Sequence, residues 1–360
     1  MAGVYISYPF CGQKCTYCNF ASGVSPARLE RDYERALIAE IRRHAWTWTP
    51  ETVYLGGGTP SRLEPDTLGR ILSGIPGRPW REATMEAAPG TITVECARLW
   101  RQLGITRVSL GVQSFHEREI RQTGRKHTAG IVASEVEWLR EAGIGEINID
   151  LIAGLPHQTA ESWELSLDWI RKLGPPHVSV YLLEVDDDSR LGSEILRSGA
   201  RFGAASVPSE DESAAFYERA VDALAEMGIQ RYEISNFALP GHESQHNLKY
   251  WRLEPYLGFG ADAHSFDGRT RRRNAETAAD YVARPASACV EETPAHDADR
   301  FLAGLRLTRG MRIEPAEWRR RQAALEPHIE AGLLERDGDI VRLTSRGVLL
   351  SNEVFQEFVS

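Results

Sequence analysis

The sequence predicts an α/β fold in which βα units repeat around a mostly parallel sheet. Short runs rich in β-branched and aromatic residues alternate with segments whose apolar residues recur about every 3.6 positions. Six strands and their helices fill about 180 residues, fewer than the eight units and roughly 250 residues of a closed TIM barrel. A partial barrel or an open doubly wound sheet fits this length.

Polar residues and glycines follow several of the six predicted strands. The strands are residues 4–7, 52–55, 84–87, 107–111, 146–151 and 177–183. The helical segments between them are residues 29–45, 94–103, 131–142 and 163–173. Ligands of parallel α/β sheets bind at the carboxyl ends of the strands. Residues 56–59, Glu86, Gln113 and Asp150 occupy those ends and are the first candidate ligand contacts.

After residue 185 the repeat gives way to a different pattern. Residues 186–209 are acidic and contain Gly and Ser, a helix is predicted over 210–227, and a segment rich in aromatics and His reaches Phe266. A linker is predicted around 284–293.

The C-terminal residues predict a small module. Helices are predicted over 294–307, 316–331 and 346–358, with a hairpin over 333–343 that turns at Asp337 and Gly338. Helices followed by a two-stranded wing are typical of a winged-helix-like α+β domain. The predicted domains are 1–185 for the barrel, 186–290 for its extension and 291–360 for this module.

The composition is that of a soluble globular protein and excludes several function classes. Of 360 residues, 42% are hydrophobic and 26% charged, and the mean hydropathy is −0.36. No apolar run approaches the roughly 18 residues of a membrane span. A net charge of −9 argues against nucleic-acid binding, which needs a basic face. No secretory signal pattern precedes the first strand, so the expected location is cytoplasmic.

Three of the five cysteines, Cys11, Cys15 and Cys18, lie within eight residues directly after the first strand. Three thiolates on one loop can bind an iron–sulfur cluster and leave one iron open for a small molecule. The alternative is a zinc site, which needs a fourth ligand from Cys96, Cys289 or a distant His.

The Cys-x3-Cys-x2-Cys spacing after a first strand resembles the radical S-adenosylmethionine superfamily. The resemblance implies a [4Fe–4S] cluster whose open iron binds S-adenosylmethionine, within a partial (β/α)6 barrel. Tyr17 matches the position at which this superfamily carries an aromatic residue that faces the adenine.

Further segments resemble the oxygen-independent coproporphyrinogen III oxidase-like family in the family's order. They are residues 5–11, 54–61, 86–91, 107–115, 124–127, 148–156, 232–238, 246–251 and 258–265. The true oxidases of that family carry a further Cys two residues after the third cluster Cys and a longer N-terminal arm. This chain has Asn19 and Phe20 after Cys18 and ten residues before Cys11, so it is similar to the heme chaperone branch.

Residues carried over by this resemblance form three groups. Cys11, Cys15 and Cys18 would hold the cluster, and Tyr5, Gly57 and Glu86 would contact S-adenosylmethionine. A further set matches a second S-adenosylmethionine site of the oxidase, and in a chaperone would bind one such molecule or shape a heme pocket: Tyr17, Gly58, Thr59, Gln113, Arg125 and Asp150. The glycines of residues 56–58 are expected to offer backbone N–H groups to the ligand.

Heme binding is the function that the resemblance implies, with transfer to recipient hemoproteins and membrane contact only through such a recipient. His246 is a candidate axial ligand, because heme iron accepts imidazole. A pocket at the barrel mouth is expected to combine Arg125 with the aromatic segment 246–251. Oxidative decarboxylation of coproporphyrinogen III is the alternative function, and a zinc-stabilised binding module is a third. The sequence leaves open whether the chain catalyses a reaction.

Overall fold

The computed structural model describes residues 2–284, 289–294 and 297–359. Its first half is the repeat that the sequence predicts. The elements of this half are β1 (Ala2–Tyr8), α1 (Ala27–Arg43), β2 (Pro50–Gly57), α2 (Pro65–Ser73), β3 (Glu82–Ala87), α3 (Val94–Gln102), β4 (Arg107–Gln113), α4 (Glu117–Gln122), α5 (Ala129–Glu141), β5 (Glu146–Ala153), α6 (Ala160–Leu173) and β6 (His177–Leu182).

The second half extends the sheet and adds a separate module. Its elements are α7 (Arg190–Leu196), α8 (Glu210–Glu226), β7 (Gln230–Arg231), β8 (Asn236–Ala238), α9 (Gln245–Trp251), β9 (Tyr256–Phe259), β10 (His264–Phe266), β11 (Thr270–Asn274), α10 (Ala278–Ala283), β12 (Cys289–Pro294), α11 (Asp297–Gly304), β13 (Met311–Arg312), α12 (Pro315–Glu330), β14 (Leu334–Asp337), β15 (Ile340–Leu343), α13 (Ser345–Leu349) and α14 (Ser351–Phe355).

Twelve of the strands in the described residues form one sheet, in the order β12-β11-β10-β9-β1-β2-β3-β4-β5-β6-β8-β7. The run from β9 through β1 to β6 is parallel, and both ends continue as antiparallel strands. The predicted six-unit partial barrel is therefore confirmed. The structure adds a seventh parallel strand, β9, which pairs with β1 although it comes late in the chain.

The two faces of the parallel strands differ in chemistry. On one face Val53, Leu55, Met85, Val108 and Ile149 are fully buried and belong to the core that the helices cover. The alternate residues are polar on every central strand, and we call their side the polar face. Its side chains include Thr52 and Tyr54 on β2, Glu82 and Glu86 on β3, Arg107 and Ser109 on β4, and Asn148 and Asp150 on β5. Because successive strand residues point to opposite faces, the sequence alternation alone separates these two sets.

Three of the helices behind the sheet begin in the same way. Thr93, Thr128 and Thr159 precede α3, α5 and α6, and each hydroxyl accepts a hydrogen bond from a backbone N–H in the first turn. Such caps satisfy N–H groups that the helix itself leaves unpaired, and each contributes about 1 kcal/mol. These threonines therefore fix the residue at which each helix begins, where the chain leaves the mouth of the barrel and returns along its outside.

The C-terminal module has its own three-stranded sheet, in the order β13-β15-β14. The predicted hairpin is present, with Asp337 paired to Ile340 across the turn. The prediction of one continuous last helix over 346–358 is wrong. The backbone angles of Leu350 are not helical, and the segment is divided there into α13, α14 and a final 3₁₀ turn. The predicted linker around 284–293 is also partly wrong, since β12 pairs there with β11; residues 285–288 lie outside the described residues.

An ion pair to a buried carboxylate links the module to the barrel. Arg306 places a guanidinium nitrogen 3.2 Å from the Glu233 carboxylate, which is fully buried, and its guanidinium also lies over the ring of Trp251 on α9. None of the described helices combines the length and hydrophobicity needed to cross a bilayer.

Candidate functional site

The three clustered cysteines lie on a loop at the carboxyl end of β1. The loop closes on itself, because Cys11 N–H donates to the Gly23 carbonyl at 2.9 Å and Gly23 N–H donates to the Pro9 carbonyl at 2.9 Å. All three thiols are partly exposed and none forms a disulfide. The structure therefore places this loop at the mouth of the barrel, as its position after the first strand predicts.

The thiols fit an iron–sulfur cluster in donor type and in sharing one short loop. Among the described residues, no group of three or more His, Cys, Asp or Glu is arranged to hold a metal ion. Cys96 lies on α3 and Cys289 on β12, so neither belongs to the loop.

Glu86 lies at the carboxyl end of β3, where two neighbours from β2 hold its carboxylate. The Tyr54 hydroxyl donates to Oε1 at 2.9 Å, and Gly57 N–H donates to Oε2 at 3.1 Å. Burial raises the pKa of Glu86 to about 7, and the charge of Asp150 adds to this rise, whereas the two hydrogen bonds oppose it. A carboxylate held in this way can accept a further hydrogen bond from an amino group.

Gly56, near the end of β2, lets the Tyr5 ring and this carboxylate pack closely against the strand. A Cβ at Gly56 would lie 3.0 Å from Glu86 Oε1 and 3.0 Å from the Tyr5 ring. The Tyr5 ring stacks on Tyr54 with 6.0 Å between ring centroids. Tyr5, Gly57 and Glu86 thus lie together, as the resemblance requires of an S-adenosylmethionine site.

The expectation that the glycines of residues 56–58 offer free N–H groups is wrong for Gly57 and Gly58. Gly57 N–H binds Glu86, Gly58 N–H donates to the Tyr8 carbonyl at 2.8 Å, and Thr59 N–H donates to the Phe10 carbonyl at 2.9 Å. Gly58 is required for a different reason, because a Cβ there would lie 2.7 Å from the Phe10 carbonyl oxygen. The turn therefore secures the start of the cysteine loop.

A second group of predicted residues meets on the other side of the mouth. Arg125 donates to the Tyr17 hydroxyl at 3.2 Å and to the Gly111 carbonyl at 2.7 Å, and it also lies beside Cys15. Gln113 adjoins it at the end of β4, with a positive φ of 73° and a buried Oε1 that has no hydrogen-bond partner among the described residues. Strained backbone and an unpaired buried oxygen are both typical of ligand sites.

Asp150 lies within β5, and its charge acts on Glu86 of the first group and on Arg125 of the second. Asn148 donates to its Oδ1 at 2.7 Å and the Ser109 hydroxyl donates to its Oδ2 at 3.2 Å. Burial raises the pKa of Asp150, while these donors and Ser179 oppose the rise. The carboxylate is thus held rigidly from the sheet below.

His246 lies at the opposite end of the barrel from the mouth. It is fully buried on α9, and its ring nitrogens lie 2.8 Å from Thr52 Oγ1 and 2.8 Å from the Tyr250 hydroxyl. Thr52 is four residues before Gly56 on β2, about 13 Å along a strand. Arg125 lies beside Cys15 and Tyr17 at the mouth, so among the described residues the expected pocket that combines it with segment 246–251 is not formed.

Sequence reasoning missed Tyr54 as a site residue. The signal was present, because Thr52, Tyr54 and Gly56 alternate with the apolar residues of β2 and so share the polar face with Glu86. Tyr181 on β6 was also missed, although it lies on the same polar face.

Comparison with known proteins agrees with this geometry. Residues 5–170 match the Radical SAM superfamily, and residues 298–350 match the HemN C-terminal domain. The heme chaperone HemW of Lactococcus lactis is 33% identical over 99% of this chain and 96% of its own length. That of Bacillus subtilis is 32% identical over 100% of this chain and 99% of its own. The chain belongs to the HemW family.

The HemW-family chain also has the fold of a solved enzyme. Coproporphyrinogen III oxidase (HemN) from Escherichia coli superposes with a TM-score of 0.85, covering 99% of this chain and 89% of the enzyme, at 22% sequence identity. This similarity shows a shared fold. The Radical SAM match brings with it a [4Fe–4S] cluster and S-adenosylmethionine as cofactors. Their chemistry when bound is the reductive cleavage of S-adenosylmethionine to a radical.

Proposed function

We propose that the chain is a heme chaperone, which binds heme and transfers it to recipient hemoproteins. The observation that carries this proposal is the sequence identity of 32–33% to HemW heme chaperones over 96–99% of their length. The recipients are proposed to be cytoplasmic or membrane-bound hemoproteins, and in the second case the recipient provides any contact with the membrane.

We propose the following roles at the mouth. Cys11, Cys15 and Cys18 hold the [4Fe–4S] cluster, and Tyr5, Gly57 and Glu86 contact S-adenosylmethionine. The second group, formed by Tyr17, Gln113 and Arg125, lies beside Cys15 with Asp150 adjoining it on β5, and we assign these residues to the same ligand site. Gly58 and Thr59 support the cysteine loop through the backbone bonds described above.

The cysteine loop supports a chaperone rather than an oxidase. Phe20 stands where the oxidases have their further Cys, and its side chain is 68% exposed. The side chain of the preceding Asn19, in contrast, is held in place, because its Nδ2 donates to Glu184 at 3.0 Å and to Asp186 at 2.8 Å. The loop thus presents an apolar ring to solvent beside the segment that follows β6.

This part of the mouth fits the chemistry of heme. Val24, Tyr181 and Val185 are also exposed, at 66%, 41% and 43%. We call these residues and Phe20, which lie on the cysteine loop, on β6 and just after β6, the apolar rim, and propose that they contact the flat apolar surface of a porphyrin. Lys14 Nζ lies 3.3 Å from the Phe20 carbonyl and Arg190 donates to the Lys14 carbonyl, so two cations adjoin the rim for the heme propionates.

Replacing Phe20 by Ser is therefore expected to weaken hemin binding by about tenfold. Covering one large apolar side chain contributes about 1.5–3 kcal/mol, and 1.4 kcal/mol corresponds to a tenfold change in affinity. Absorption titration of the cluster-loaded chain with hemin measures the effect. Leu350→Ser is the matched control, because Leu350 is 41% exposed and lies in the C-terminal module. Equal weakening by both variants would contradict binding at the apolar rim.

A further inference from the structure

The helix that carries His246 is fixed to the first residue of β3. Glu82 Oε1 accepts the His246 N–H at 2.8 Å, and Oε2 accepts the Gln245 N–H at 3.0 Å. The same carboxylate forms a buried ion pair with Arg107, whose Nε lies 3.0 Å from Oε2. Charged hydrogen bonds of this kind, withdrawn from water, are among the strongest in proteins. The N-terminus of α9 therefore has a fixed position under the polar face.

The His246 side chain has both ring nitrogens engaged in that position. Thr52 Oγ1 lies 2.8 Å from Nδ1 and the Tyr250 hydroxyl lies 2.8 Å from Nε2. Burial and the nearby Lys249 ammonium lower the pKa of His246 to about 3, so the ring is neutral at physiological pH. A fully buried ring with two such partners offers no nitrogen to a heme iron.

The neighbouring strand β1 leaves space for this ring. A Cβ at Gly3 on β1 would lie 3.0 Å from His246 Cε1 and 2.9 Å from Thr52 Oγ1. Only glycine at this position lets β1 and the imidazole approach so closely. The ring thus fills a space that three elements, β1, β2 and α9, leave between them.

His246 is one contact away from the Glu86 carboxylate. Its ring stacks on Tyr54, with 5.2 Å between centroids and 30° between planes. The Tyr54 hydroxyl donates to Glu86 Oε1 at 2.9 Å, and the Tyr5 ring stacks on the same tyrosine at 6.0 Å. Displacing the Tyr54 hydroxyl from Glu86 by about 0.5 Å would stretch that hydrogen bond beyond its usual range.

We propose that His246 is a positioning residue for the S-adenosylmethionine site, which it serves by fixing the ring of Tyr54 and thereby the hydrogen bond that Tyr54 donates to Glu86. This inference rests on the proposed function in one respect, namely that Glu86 contacts S-adenosylmethionine. It assigns segment 246–251 to the cofactor site instead of to heme.

The Tyr54 hydrogen bond also has an effect that can be measured separately. It lowers the pKa of Glu86 against the effects of burial and of Asp150. Among the described residues, the titratable groups that face Glu86 are Asp150 on β5 and the phenols of Tyr5, Tyr54, Tyr181 and Tyr250 on β1, β2, β6 and α9. A misplaced Tyr54 therefore raises the pKa of Glu86, and the pH at which the cofactor begins to bind rises with it.

The test uses the full chain with its cluster reconstituted under anaerobic conditions. His246→Phe keeps a ring for stacking and removes both ring hydrogen bonds, His246→Gln restores one of them, and Tyr54→Phe removes the hydroxyl alone. Dissociation constants of S-adenosylmethionine and of hemin are measured for each variant between pH 6 and 8, together with cluster content.

We expect His246→Phe to weaken S-adenosylmethionine binding about tenfold and to move its pH midpoint upward, with hemin affinity unchanged. Tyr54→Phe should give the same loss, the double variant no further loss, and His246→Gln a partial recovery. If His246→Phe loses its cluster through misfolding, His246→Gln and Tyr54→Phe decide by the same criteria.

Unchanged S-adenosylmethionine affinity in the cluster-loaded His246 variants would overturn the proposal. So would a loss of hemin affinity with an altered heme absorption spectrum, because that result would make His246 a heme ligand. Failure of the unmodified chain to bind S-adenosylmethionine would instead overturn the proposed cofactor site itself.

Discussion

Cys15→Ala is expected to reduce the iron content of the anaerobically reconstituted chain from about four atoms per chain to near zero. A [4Fe–4S] cluster with three protein ligands loses a third of its anchoring when one thiolate is removed. The other thiols of the loop cannot compensate, because each already serves one iron. Iron and sulfide analysis with the absorption spectrum of the cluster measures the loss.

Cys96→Ala is the matched control for this prediction. Cys96 is a partly buried thiol on α3, outside the cysteine loop, so its removal should leave the iron content unchanged. A comparable loss in Cys96→Ala or Cys289→Ala would contradict the assignment of the cluster to Cys11, Cys15 and Cys18. It would favour the alternative metal site with a fourth, distant ligand.

Glu86→Gln is expected to weaken S-adenosylmethionine binding by about 10- to 100-fold at pH 8. The carboxylate is held by Tyr54 and Gly57 so that it can accept from the amino group of the cofactor. A hydrogen bond to a charged group contributes about 1.5–3 kcal/mol, and the amide loses that charge. The change in the electron paramagnetic resonance spectrum of the reduced cluster reports binding.

The same variant should remove a pH dependence. The pKa of Glu86 is raised to about 7, so the carboxyl is protonated below that pH and ionised above it. Affinity of the unmodified chain should therefore rise between pH 6 and 8 more steeply than that of Glu86→Gln. The cofactor's own amino group contributes equally to both curves. Glu95→Gln, an exposed change on α3, should match the unmodified chain. Parallel curves for the Glu86 variant and the unmodified chain would exclude Glu86 as the contact.

Much of the barrel could be predicted because its information is local. Each of the six predicted strands is a short β-rich run bounded by glycines or polar residues, and the structure places all six. β9 could not be predicted, because Tyr256–Phe259 is only four residues long and contains a glycine. Its pairing with β1, more than 240 residues earlier, is a tertiary contact that no local pattern carries.

The sequence indicates which residues lie near the site better than it indicates at which end of the barrel each of them lies. Cysteine spacing indicates the loop, and the strand ends indicate Glu86 and Asp150. Nothing in the residues 246–251 tells whether their helix covers the mouth or the opposite end of the barrel. That choice is made by Glu82, which pairs with Arg107 on one side and binds the start of α9 on the other. An interaction between residues 164 positions apart is not visible in the sequence.

The central claim is tested most directly by following heme and porphyrin in one anaerobic mixture. The full chain, loaded with cluster, S-adenosylmethionine and hemin, is incubated with a reductant, coproporphyrinogen III and an apo-hemoprotein. A heme chaperone predicts that heme appears in the hemoprotein, seen by its absorption spectrum, while coproporphyrinogen III is recovered unchanged. Protoporphyrinogen formed at a catalytic rate, with heme retained by the chain, would contradict that function and establish the oxidase instead.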